Sequence, residues 1–155
     1  MKQIEVIEKL TNSYPSISVK PSNTYYWSPK DMTVYYDKEN TSLEGVWALL
    51  HESGHALLGH KQYYTDIELL KMEVEAWGEA EKITDKLSLK KDIDEDHIQD
   101  CLDSYRDWLH KRSLCPDCSL SGIQTKPEMY TCVFCHNTWK VSSDRFCRPY
   151  RKIAR

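Results

Sequence analysis

Two groups of residues in this 155-residue chain have the types and the spacing of metal ligands. The first is His51-Glu52-Ser53-Gly54-His55, in which two histidines flank a glutamate. On an α-helix, at about 100° per residue, both imidazoles lie on one face, one turn apart, and can bind the same zinc ion. Glu52 projects beside them, where a carboxylate can accept a proton from an attacking water molecule. The pattern predicts zinc-dependent hydrolysis.

A catalytic zinc site uses three protein ligands, and we expect Glu73 to be the third. On the predicted helix over residues 66–87, at about 100° per residue, Glu73 falls inside the apolar face and Glu75 falls among charged residues. A carboxylate in an apolar face is costly unless it is paired or binds a metal. Glu75 and Glu79 are therefore interpreted as surface charges.

His60 is the other candidate for the third ligand, and its spacing argues against it. If the helix continued beyond His55, His60 would lie about 140° from His55 around the helix axis and away from the metal. Gly59 is typical of a helix C-terminus. We therefore interpret His60 as an ordinary polar residue just beyond the helix end.

The second group is formed by four cysteines. Cys115-Pro116-Asp117-Cys118 is followed, after thirteen residues, by Cys132-Val133-Phe134-Cys135. Two Cys-x-x-Cys pairs at this separation predict a tetrahedral thiolate site for structural zinc in a zinc ribbon. Disulfides or redox-active thiols are the alternative, which the expected reducing compartment disfavours. Such a ribbon buries too little apolar surface to fold alone, so zinc should stabilise it.

Two segments together resemble the ImmA/IrrE-type zinc metallopeptidases. The run from His51 to His60 reads H-E-S-G-H-A-L-L-G-H, and the run from Glu73 to Ala80 reads E-V-E-A-W-G-E-A. The family pattern is H-E-x-G-H-x-x-x-G-H followed by E-x-x-A-N-x-x-A, in which the first residue of the second part binds zinc. Trp77 stands where the family usually has asparagine. A polar side chain there could orient a metal-binding histidine, so another residue would have to supply that contact.

The resemblance, which covers roughly residues 15–85, implies roles for individual residues. It implies His51, His55 and Glu73 as zinc ligands and Glu52 as the catalytic base, in agreement with the helical geometry above. It also implies a compact zincin-like domain in which an exposed strand, expected at Met32–Tyr36, holds an extended peptide by β-augmentation.

The elements that must position these residues are four helices and small sheets. Apolar periodicity predicts helices over residues 2–12, 42–59, 66–87 and 95–112. Capping-box patterns over residues 41–44 and 65–68 precede the two middle helices. Runs of β-branched and aromatic residues over 16–20, 24–27 and 32–36 predict a small antiparallel sheet. The expected fold is α+β, with a zincin-like metallopeptidase domain over residues 1–112 and a zinc ribbon with a basic tail over residues 113–155.

Composition is that of an ordinary globular protein, with 40% hydrophobic and 29% charged residues. No apolar run approaches the roughly 18–20 residues needed to span a bilayer. The first residues form a charged amphipathic stretch rather than a secretion signal. We therefore expect a cytoplasmic protein without a membrane partner.

Charge is distributed unevenly along the chain. Residues 110–155 carry nine Lys or Arg and three Asp or Glu, and the preceding residues carry 12 and 21. With interleaved aromatic residues, the basic tail could bind nucleic acid through phosphate pairing and base stacking. It could equally bind an acidic protein or the acidic segment over residues 92–107. The basic residues of the tail are Lys126, Lys140, Arg145, Arg148, Arg151, Lys152 and Arg155.

These observations predict a zinc-dependent metallo-endopeptidase with one catalytic and one structural zinc ion, acting on a protein substrate that could be regulatory or DNA-associated. The alternative of another class is a non-catalytic zinc module that presents the ribbon to nucleic acid or to a protein partner. An intact Glu52 favours the enzyme, because metal binding alone does not need that carboxylate. SprT-like proteases also join this motif to a zinc ribbon and act at DNA, but their third ligand is a downstream histidine. No well-placed histidine follows His60 until His97.

Overall fold

The computed structural model describes residues 1–143 and 151–154, which form a mixed α+β fold. The elements in chain order are α1 (Gln3–Ser13), β1 (Ser18–Ser22), β2 (Tyr26–Ser28), β3 (Thr33–Asp37), α2 (Leu43–Leu58), α3 (Asp66–Lys86), α4 (Glu95–Ser113), β4 (Gly122–Lys126), β5 (Met129–Cys132), β6 (Thr138–Val141) and β7 (Arg151–Ile153). The four predicted helices are confirmed to within one residue at each end. No helix among the described residues is long and apolar enough to cross a membrane.

The chain divides into two compact units. The first unit comprises residues 1–61 and 72–98, and the second comprises residues 62–71 and 99–155. Helices α3 and α4 each contribute residues to both units. The domain boundary at residues 112/113 stays a prediction about independent folding.

The sheet of the first unit is mixed, which corrects the predicted antiparallel sheet. Its strand order is β1-β3-β2, with β2 antiparallel to β3 and β1 parallel to β3. The three strands alternate in direction along the chain. Insertion of β3 between the two earlier strands therefore places it beside β1, which runs in the same direction. Strand propensity locates such runs but carries no information on their order.

The same strand order corrects the prediction of an exposed strand at Met32–Tyr36. β3 is the central strand and is hydrogen-bonded on both edges. Among the described strands, β2 pairs only with β3, and the backbone N–H of Trp27 in β2 donates to Glu52 Oε2 at 2.8 Å. The edge that lies beside Glu52 thus belongs to β2.

Helix α2 packs on β2 and β3 and carries the two histidines. Ser42 caps its start by accepting a hydrogen bond from Gly45 N–H at 3.0 Å. The cap is therefore one residue later than Thr41, where the capping-box pattern began. Gly59 ends the helix in the left-handed region at φ 65°, as predicted. The buried apolar side chains of this unit include Val6, Leu10, Val34, Val46, Leu49, Leu50, Ala76, Ala80 and Ile83.

The second capping box is confirmed at the start of α3. Glu68 N–H donates to Thr65 Oγ1 at 3.1 Å, and Thr65 N–H donates to Glu68 Oε2 at 3.2 Å. Two backbone donors at the helix start are thereby satisfied reciprocally. This arrangement fixes the start of α3.

The second unit contains a four-stranded antiparallel sheet in the order β4-β5-β6-β7. Its buried cluster consists of Cys115, Tyr130, Cys132, Trp139 and Val141. Arg112 of α4 is also buried, and its guanidinium donates to Asp66 Oδ1 at 2.5 Å and to the Tyr130 hydroxyl at 3.1 Å. Trp139 Nε1 donates to the Arg112 carbonyl at 3.0 Å. This small sheet is thus tied to both helices of its unit.

Candidate metal sites

His51, His55 and Glu73 come together as one buried group in the first unit. His51 Nε2 lies 3.0 Å from Glu73 Oε2 and 3.1 Å from His55 Nε2, and His55 Nε2 lies 3.3 Å from Glu73 Oε1. Tetrahedral ligands at about 2.0–2.1 Å from a zinc ion are about 3.3–3.4 Å apart. The three side chains therefore fit three corners of a metal site and leave a fourth position.

Gly54 allows α3 to approach α2 closely enough for this arrangement. A Cβ atom at Gly54 would lie 2.4 Å from the backbone carbonyl oxygen of Ala76. That distance excludes a side chain at Gly54 unless one of the helices moves. The glycine inside the histidine motif thus has a structural function in bringing Glu73 to the two histidines.

Glu73 is buried, as the helical-face argument predicted, with 5% of its surface exposed. Burial raises the pKa of Glu73, but hydrogen bonds and positive charge from His51 and His55 outweigh this effect and lower the pKa to about 2. Glu73 is thus a carboxylate at neutral pH, the form that binds a metal. The Glu75 side chain is 42% exposed, again as predicted.

Glu52 lies half-buried beside the group, and its carboxylate accepts the backbone N–H of Trp27. Burial lowers the pKa of His55, but the hydrogen bond with Glu73 and the negative charges of Glu73 and Glu52 raise it overall. Glu52 therefore acts electrostatically on His55 without belonging to the group that could hold the metal.

His51 is held by ring packing. Its ring centroid lies 4.3 Å from that of Trp77, with 31° between the ring planes. His51 Nδ1 is buried, and no described residue forms a hydrogen bond with it. For His51, the polar contact that could have oriented the ring is therefore absent from the described part of the chain, and the indole of Trp77 covers the ring instead.

His60 and Glu75 have contacts that sequence reasoning missed. His60 Nδ1 lies 2.8 Å from His55 Nδ1, and His60 Nε2 lies 3.3 Å from Glu75 Oε2. Burial, together with the nearby His55, lowers the pKa of His60 and outweighs the opposite effect of Glu75. The extrapolated helix placed His60 far from His55, but the turn at Gly59 brings it back. The glycine was the available signal, since it predicts a chain reversal at that residue.

The four predicted cysteines form a second group that could hold a metal ion. Cys115 Sγ lies 3.5 Å from Cys135 Sγ, and Cys118 Sγ lies 3.4 Å from Cys132 Sγ. These distances are far too long for disulfides, whose sulfur atoms are about 2.05 Å apart. They are close to the ~3.8 Å that separates thiolates around zinc at about 2.3 Å.

The four thiols fall into two pairs with opposite pKa shifts. The N–H groups of Cys135 and Phe134 hydrogen-bond to the sulfur of Cys132 and, against the effect of burial, lower its pKa to about 7. Burial raises the pKa of Cys115, but backbone N–H groups of its own turn lower it overall. Thiolate is the metal-binding form of cysteine, so the turn geometry favours that form at Cys132 and Cys115.

Cys118 and Cys135 behave in the opposite way. Backbone N–H groups lower their pKa values, but burial and hydrogen bonds with the other cysteine sulfurs outweigh this effect. The pKa of Cys118 is raised to about 12, and that of Cys135 is raised as well.

Of the basic residues considered for nucleic-acid binding, Lys126, Lys140 and Lys152 are exposed. Arg151 is half-buried, and its guanidinium donates to the backbone carbonyl of Leu114 at 2.5 Å. Arg145, Arg148 and Arg155 lie outside the described residues. The nucleic-acid role of the tail stays a prediction.

Comparisons of this chain with known protein families, with curated proteins and with solved structures found no match. The likeness to ImmA/IrrE-type peptidases is consequently a likeness of two motifs.

Proposed function

We propose that the protein is a zinc-dependent metallo-endopeptidase that hydrolyses peptide bonds of a protein substrate. The observation that supports this most strongly is the grouping of His51, His55 and Glu73, with ligand atoms 3.0–3.3 Å apart, beside a half-buried glutamate. Two imidazoles and one carboxylate, with a fourth position open, are the donor set of catalytic zinc in many peptidases. Glu52 adds the proton acceptor that a metal-storage site would not need.

In this proposal each side chain has a separate task. His51, His55 and Glu73 would hold zinc, which supplies a Lewis acid for the scissile carbonyl and increases the acidity of a water molecule. Glu52 accepts the proton of the attacking water and delivers it to the leaving amine.

The outer edge of β2 is the surface that we propose for the substrate backbone. An extended peptide paired with this edge would present a carbonyl oxygen to Trp27 N–H, which now donates to Glu52. The peptide would therefore displace the Glu52 carboxylate from that N–H. Substrate binding and release of the base would then be one event.

We propose that the cysteine site holds a structural zinc ion in a zinc ribbon. All four positions of that site are taken by thiolates, so it offers no open position for a substrate. Its contribution would be to the folding of the second unit.

The SprT-like alternative requires a downstream histidine as the third ligand. His97 instead packs against two indoles, with ring centroids 4.9 Å from that of Trp47 and 5.7 Å from that of Trp77. It does not belong to the group formed by the other two histidines and Glu73. The geometry therefore favours a glutamate ligand.

The test is cleavage of a panel of proteins, including DNA-binding proteins, by the zinc-loaded full chain. Glu52→Gln should reduce the rate by about 10²–10⁴-fold because the base is lost, with the zinc content unchanged. Glu44→Gln, which changes an exposed glutamate of the same helix, should cleave like the wild type. Equal cleavage by wild type and Glu52→Gln, or no cleavage of any substrate, would contradict the proposed activity.

A further inference from the structure

A chain of side-chain contacts runs from a candidate zinc ligand to the surface. His55 Nδ1 and His60 Nδ1 are 2.8 Å apart, and His60 Nε2 is 3.3 Å from Glu75 Oε2. The nitrogen of His55 that faces the candidate metal is the other one, Nε2. The contact with His60 therefore lies on the side of the ring opposite to the metal.

Metal binding dictates where the protons of this chain lie. A histidine that binds metal through Nε2 must carry its proton on Nδ1, so His55 donates and His60 Nδ1 accepts. Because His60 Nδ1 accepts, the ring proton of His60 lies on Nε2, where it can be donated to the Glu75 carboxylate. Every contact in the chain thus has one donor and one acceptor.

The backbone holds His60 in place for this contact. His60 N–H donates to the His55 carbonyl at 3.0 Å, across the left-handed turn at Gly59. The His60 carbonyl accepts a hydrogen bond from Trp27 Nε1 at 2.7 Å, and the His60 side chain is 11% exposed. His60 is thus held through both of its backbone groups and both of its ring nitrogens. These contacts fix its position relative to His55.

We propose that His60 is a positioning residue that fixes the tautomer and the orientation of His55 for zinc binding, and that Glu75 orients His60. The inference rests on the proposed metal site. Partners of this kind commonly change metal affinity by about 10–100-fold when they are removed. His51 Nδ1 has no hydrogen-bond partner among the described residues. Removal of His60 should therefore change zinc affinity through His55 and not through His51.

Two amide variants separate a positioning role from a merely structural one. Asparagine carries its oxygen on Cγ, where the imidazole carries Nδ1, so His60→Asn keeps an acceptor for His55. Glutamine carries its amide one bond further out, so His60→Gln can reach Glu75 but loses that acceptor. Both variants remove the ring and keep a polar side chain.

The experiment measures zinc affinity of the full chain by competition with a chromophoric chelator, and thermal stability in excess zinc serves as the folding control. His60→Ala and His60→Gln should weaken binding at the histidine site by about 10–100-fold, and His60→Asn should stay within about threefold of wild type. Glu75→Gln should have a smaller effect than His60→Ala. Glu81→Gln, an exposed change on the same helix, should have none.

Two results would overturn this proposal, and they are distinguishable. If wild type binds two zinc ions and His60→Asn weakens binding as much as His60→Gln, or neither weakens it, His60 does not position His55. If wild type binds no zinc that Glu73→Ala removes, the proposed metal site fails and the role of His60 fails with it.

Discussion

The histidine site and the cysteine site hold their ligands in different ways. His51 and Glu73 are 22 residues apart and meet because two helices pack closely at Gly54. The cysteines lie in two short turns whose own backbone amides hydrogen-bond to the sulfurs. The first site therefore depends on an apolar core that folds around it, whereas the second forms a large part of the core of its own sheet.

This difference predicts opposite relations between metal and fold. The first unit should fold without metal, and its metal ion should serve catalysis. The sheet β4-β5-β6-β7, called the cysteine sheet below, should fold only when metal is bound. Its buried cluster is small and includes two of the ligands. Variants of the cysteine site should therefore lose folded structure, and variants of the histidine site should lose zinc binding and activity.

The largest effect should follow removal of thiolates. Cys115→Ser combined with Cys118→Ser should reduce zinc from two ions to one and unfold the cysteine sheet, because structural zinc binding contributes about 10–16 kcal/mol in small domains. Amide resonances of β4, β5 and β6 would report the unfolding. Cys101→Ser, outside the four-cysteine group, should keep both zinc ions. Intact β-sheet resonances in the double variant would mean that the sheet folds without metal.

The ion pair between the buried Arg112 and the half-buried Asp66 should have the next largest effect. Asp66→Ala should lower the free energy of unfolding by about 3–5 kcal/mol, because the buried guanidinium loses its charged partner. Asp103→Ala, which removes the exposed partner of Arg106, should cost no more than about 1 kcal/mol. Denaturant unfolding of the zinc-loaded proteins measures both. Equal costs would mean that this ion pair contributes no more to stability than an exposed one.

An added side chain at the contact between α2 and α3 should have the smallest of these effects on stability. Gly54→Ala should destabilise the protein by about 1–3 kcal/mol, because the added Cβ meets the Ala76 carbonyl, and it should weaken zinc binding. Gly78→Ala on α3 meets no atom within 4 Å and should stabilise the helix by up to about 1 kcal/mol. Unfolding and zinc titration of both variants check this. A neutral Gly54→Ala would show that the helices can separate without loss.

Periodicity predicted much of this molecule. Helix ends followed from caps and glycine, and the burial of Glu73 followed from its helical face. The order of the strands did not follow, because strand propensity carries no information on which strands pair. The contact of His60 with His55 was not predicted either, because it depends on the path of the chain after Gly59. Arg112 stands among the basic residues in the last turn of α4, and only the fold shows that Asp66 is its partner.

Titration of the full chain with a mild chelator, with zinc content and peptide cleavage followed together, tests whether the histidine site is catalytic. We expect two zinc ions per wild-type chain, of which the one bound by the histidines leaves first. Cleavage should disappear with that ion while the sheet of the second unit stays folded, and Glu73→Ala should begin the titration with one ion and no activity. Cleavage that persists after the first ion has left, or a Glu73→Ala variant that retains two ions, would mean that the histidine site is not the catalytic zinc site.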